Sequence, residues 1–168
     1  MSIRAASLLV ALCVAVSASF ESARHQEDPR VLAEAFVGAA NDGDRAALEA
    51  LVHPDVVAYL MEQMPERWEE VLSGWAETRF DDDYHVTVRP ASDVEAYDEG
   101  TQALIFAGKL RFRFPVLPPS HFLIIQKAGE IESRDGRLGL GGPAAVEAVR
   151  QDGGRWYITV PVVEILPD

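Results

Sequence analysis

Residues 28–56 read DPRVLAEAFVGAANDGDRAALEALVHPDV, and their spacing decides how the chain begins to fold. Asp28 before Pro29 is a helix start, because an aspartate side chain can accept the first free amides and proline's fixed φ suits the first helical position. Val31, Leu32, Ala35, Phe36 and Ala39 then recur on one helical face. The run stops at Asn41-Asp42-Gly43, where glycine can take the left-handed conformation that ends a helix. Asp44 caps a second helix carrying Leu48, Leu51 and Val52 inward, and His53-Pro54 interrupts it because the residue before proline resists helical geometry. Asp55 is expected to cap a third helix, placing His53 at the end of the second, where a partly cationic ring suits the dipole. Val56, Val57, Tyr59 and Leu60 form the third helix's apolar side. Pro65 either kinks this helix or starts another, whose buried stripe is Trp68, Val71, Leu72 and Trp75.

Beyond Arg79 the apolar period changes from 3.6 to 2. Tyr84, Val86 and Val88 alternate with His85, Thr87 and Arg89. Residues 103–114 read as one strand, with Leu110, Phe112 and Phe114 on one face and Lys109, Arg111 and Arg113 on the other. His121 to Lys127 is apolar on both faces and therefore central. Gly129 to Pro143 reads as a long connection. Residues 155–163 (RWYITVPVV) form a last strand behind the hairpin signal Asp152-Gly153-Gly154. That turn wants a partner strand near Val146 to Arg150, although alanine content and Pro143 also permit a helix there. Helices followed by an antiparallel meander predict an α+β fold: N-terminal helices packed in the concave face of a curved, mostly antiparallel sheet of four or more strands.

Ahead of this domain, Arg4 precedes the uncharged apolar run Ala5 to Val16, and small residues follow at Val16-Ser17-Ala18, with Glu21-Ser22-Ala23 as a second cleavage candidate. That is the charge order of a signal peptide, and about a dozen apolar residues are too few for a spanning helix, which needs about 20. The expected organisation is a signal peptide at 1–18, a flexible leader at 19–27 and a single domain at 28–168, secreted or periplasmic. Cys13, the single cysteine, would leave with the signal, so neither a disulfide nor a thiol nucleophile is expected in the mature chain. A formal charge of −12 repels phosphate backbones and anionic lipid heads, so nucleic acid is excluded as a partner, as is the membrane after cleavage.

The stretch VLAEAFVGAANDGDRAALEALVHPDV resembles the opening of the nuclear transport factor 2-like superfamily, which includes polyketide-cyclase-like and steroid-isomerase-like branches. GGRWYITVPV (153–162) resembles its closing strand. The resemblance implies a cone-shaped α+β domain with a pocket between helices and sheet. Members include isomerases, dehydratases, small-ligand binders and dimerisation modules, so fold does not select function.

The primary expectation is a non-catalytic module that binds an apolar small molecule or dimerises, with Tyr59, Trp68, Trp75, Phe112 and Trp156 lining the cavity. The alternative is a lyase or isomerase using an acid–base pair in the cone, with His121 and His85 as first suspects. It requires an imidazole or a carboxylate to enter that space. Asp81-Asp82-Asp83 before His85 reads as a turn, and no metal-ligand spacing is present. Gly139-Leu140-Gly141-Gly142 matches a dinucleotide fingerprint in letters but lacks the βαβ unit, so no cofactor is expected. A homodimer is expected because the strand from His121 would leave one apolar face in water. Lys109, Arg111 and Arg113 lie on the outer sheet face as its pairing or interface row.

Overall fold

In a computed structural model, residues 28–106, 108–126 and 145–166 are described. The expected signal segment, leader and glycine-rich connection lie outside them. Helices α1 (Pro29–Asp42), α2 (Arg45–Ala50), α3 (Pro54–Gln63) and α4 (Pro65–Glu77) come first. Eight strands follow among the described residues: β1 (His85–Pro90), β2 (Tyr97–Asp98), β3 (Ala103–Phe106), β4 (Leu110–Arg113), β5 (His121–Gln126), β6 (Ala145–Asp152), β7 (Arg155–Ile158) and β8 (Val162–Ile165).

The helix punctuation acts as its chemistry requires. Asp28 accepts from the Arg30 amide, and Asp44 accepts from the Ala47 amide at 3.0 Å. Gly43 ends α1 at φ 66°, where a β-carbon would be strained. Pro65 starts α4 rather than kinking α3. The cap of α3 differs from expectation. It is His53, not Asp55, whose Nδ1 accepts from the Asp55 amide at 3.2 Å. An accepting Nδ1 puts the ring proton on Nε2, which donates to Asp152 Oδ2 at 3.0 Å. His53 is therefore a helix start, and it ties α3 to the β6–β7 turn. That hydrogen bond is the main reason the Asp152 carboxyl is held below its usual range.

The α+β class stands, with helices packed on an antiparallel sheet. There are two sheets rather than one. The first is ordered β1-β5-β6-β7 and the second β2-β3-β4-β8, all pairs antiparallel. Two expected strands are each divided. Residues 103–114 form the β3–β4 hairpin, with Gly108 at φ 66° in its turn. The RWYITVPVV run is β7 in the first sheet and β8 in the second, crossing at Thr159 to Pro161. Residues 145–152 are a strand, which resolves the open choice there, and Gly153 and Gly154, at φ 57° and 82°, make the tight turn into β7.

Strand β5 explains the layering. Leu123 and Ile125 join the core under the helices with Phe36, Leu60, Trp68, Val149 and Ile158. Phe122, one residue out of phase, joins a second core with Leu104, Phe114, Ala91, Val94 and Ala148. The first sheet is thus covered by helices on one face and by the second sheet on the other. The apolar face that motivated a dimer is buried within one chain. All three crossings between the sheets, at residues 91–96, 114–120 and 159–161, leave from the same end of the first sheet.

Candidate functional site

A cavity of about 440 Å³ lies between the two sheets. Leu104, Phe106, Leu110, Phe112 and Phe114 form one wall. Phe122, Val146 and Ala148 face them from the first sheet, and Pro161 of the crossing closes in beside them. Alternation within each strand supplies this lining, since Leu110 and Phe112 point one way while Arg111 and Arg113 point the other.

The deep end is the crossing end. There Tyr97, Phe114 and Phe122 meet edge to face with ring centroids 5.7–6.5 Å apart, and Phe114 and Phe122 are fully buried. Burial falls along β4, from Phe114 through the half-buried Phe112 and Leu110. Ile165, the register partner of Leu110, is 83 % exposed. Among the described residues the cavity therefore has a closed aromatic end and an open apolar mouth.

Of the five residues expected to line a cavity, Phe112 lines this one. Trp68, 2 % exposed, is core, with its Nε1 3.3 Å from Glu49 Oε2. Trp75 packs edge-on against Phe36 and Trp68, at 5.4 and 6.3 Å, while Tyr59 and Trp156 pack against the same helix-side core. These aromatics pack between helices and sheet. The row of cations does lie on the sheet face away from the cavity. Arg113 and Arg111 both reach Glu164 of the neighbouring strand, at 2.9 and 3.8 Å.

The two histidine suspects separate. His85 is exposed and out of phase with Val86 and Val88, which pack toward the helices, and the Asp81–Asp83 turn before it is exposed as well. His121 faces the helix side, edge-on to Trp156 at 5.3 Å, with Nδ1 3.1 Å from Ser120 Oγ. Trp156 Nε1 is buried and has no hydrogen-bond partner among the described residues.

A carboxyl that sequence reasoning missed lies on this face. Glu147 sits opposite Leu123 and two residues from Val149, both helix-side core residues. Although Glu147 borders the cavity, its side chain is on the other side of the sheet, where the Trp75 indole donates to it. The residue keeps some exposure, but the carboxyl is enclosed. Burial pushes it up to about 8, and the indole hydrogen bond only partly opposes this. His121 pairs with Val149, so His121 and Glu147 are diagonal neighbours on one face, a spacing of roughly 7–8 Å between backbones. The missed signal was the phase of Glu147 with Val149, unreadable while residues 146–150 could be either helix or strand.

No family model matches this chain, and neither a curated protein nor a solved structure matches it.

Proposed function

We propose that this protein is an exported, non-catalytic module that binds an apolar small molecule in the cavity between its two sheets. The observation that carries the reading is the cavity's wall. It is built from aliphatic and aromatic side chains, deepens toward an aromatic end and opens to solvent at the other. A void of that size left empty would forfeit dispersion contacts on every side, which an apolar ligand restores. The likeness to the nuclear transport factor 2-like superfamily is kept as part of this proposal, supported by the turn between α1 and α2 and the helices on an antiparallel sheet. A homodimer is not needed to cover β5. Thermal-shift measurement against apolar acids, sterols and flat aromatic compounds tests the reading, since a ligand at 100 times its dissociation constant adds about 2.7 kcal/mol. Phe112→Asp, which puts a charge in the half-buried wall, should abolish the shift. A shift of equal size in that variant would place binding elsewhere.

A second reading, a lyase or isomerase working by proton transfer, is favoured by Glu147 alone. A carboxyl that holds its proton at neutral pH on the same face as His121 has the protonation state of a general acid. Dehydration or enolisation of small hydroxy-ketones, monitored by NMR and lost in Glu147→Gln, would support it. Turnover that is unchanged in that variant would end it.

A further inference from the structure

Resting on the binding reading above, we infer that the cavity takes a single-chain amphiphile, inserted chain-first, with its polar head held at the mouth. Three features of the site lead to this. Among the described residues the wall offers no polar side chain, because the Glu147 carboxyl lies across the sheet and the arginines of β4 point away. A ligand hydroxyl or carboxylate taken inside would lose its water without gaining a partner. The closed end is aromatic and is sealed by Phe114 and Phe122, so nothing passes through. The opening is apolar on the same strand faces, with Leu110 beside the exposed Ile165. A ligand must therefore enter with its least polar end leading, and any polar group has to remain in water.

The length of the site sets the length of the chain. From Phe114 to Leu110 is four strand residues, roughly 13 Å at about 3.3 Å each. A zigzag of carbon–carbon bonds covers that span in roughly ten carbons.

Calorimetric titration of the whole protein with straight-chain alcohols and carboxylates of six to fourteen carbons, below their micelle concentrations, tests this. Affinity should rise roughly four-fold per methylene and level off near ten carbons. A second hydroxyl at the far end should cost at least ten-fold, while a hydroxyl beside the head should cost little. Ala148→Leu, at the deep end, should move the plateau to shorter chains. Val146→Phe, in a half-buried position nearer the mouth, should do the same if the first variant folds poorly. Equal affinity for chains with and without the far hydroxyl would overturn chain-first insertion. So would sterol-like compounds binding more tightly than any chain, although the cavity would then remain a binding site. If no apolar compound of any shape binds, the cavity reading falls with it.

Discussion

Replacing Glu147 by glutamine keeps the shape and the acceptor for the Trp75 indole, but removes a group that can ionise. In the folded protein this carboxyl is pushed up to about 8, against an ordinary value of 4.5. Below pH 4.5 both folded and unfolded chains hold the proton, and the residue adds no pH dependence. Between 4.5 and about 8 the unfolded chain releases the proton while the folded one keeps it. Stability then falls as pH rises, by up to about 1.4 kcal/mol per pH unit. The loss reaches roughly 3 kcal/mol at pH 7 and about 5 kcal/mol above pH 8, where it levels off. That is a large share of the roughly 5–15 kcal/mol that holds an ordinary domain together. Urea denaturation followed by tryptophan fluorescence at pH 5, 7 and 9, on the wild type and Glu147→Gln, isolates the effect, because the other titrating groups cancel in the difference. The carboxyls of Asp98 and Asp152 are held low, so their contribution is present above about pH 4 and is lost only below it. The variant should be the more stable protein at pH 9, with the advantage fading toward pH 5. Parallel stability curves for the two proteins across this range would refute the burial argument.

His53→Ala removes both the cap of α3 and the hydrogen bond to Asp152, and should cost about 1–3 kcal/mol in urea denaturation, with His53→Asn recovering the cap's share. At Gly43 a β-carbon would meet nothing closer than 3.6 Å, so Gly43→Ala should cost only the backbone strain, about 1–2 kcal/mol, and Gly43→Asn less. Sedimentation at micromolar concentration should give a monomer, now that β5 is covered within the chain; a concentration-dependent dimer would require another surface. Intact mass of the protein recovered outside the cytosol should correspond to cleavage after Ala18, and recovery of the full-length chain there would contradict export.

The helical half was legible because its boundaries are chemical. Aspartate before proline, glycine at a left-handed end and aspartate at the next start each act within a few residues. His53 and Asp55 flank the same proline, and only the fold shows which side chain turns back to the amides. The sheet half was legible as alternation but not as architecture. Period 2 says that Leu110, Phe112 and Phe114 share a face, yet it cannot say that β8 joins them while β7 joins β6. Those are long-range pairings, and the cavity exists only because of them. Inward phase puts Phe112 in the wall of the cavity between the sheets, whereas the sequence pointed to a cavity between helices and sheet. The tryptophans pack with the core under the helices.

The crossing at Thr159 to Pro161 bears on how the protein comes apart. Along the chain, β1 belongs to the first sheet, β2 to β4 to the second, β5 to β7 to the first again, and β8 to the second. Neither sheet is a contiguous piece of polypeptide. No single cut of the chain separates one sheet from the other, so neither sheet can be excised as an independent folding unit. Heat or denaturant should therefore melt the two sheets in one cooperative step, with amide exchange in β4 and β5 reporting the same opening free energy.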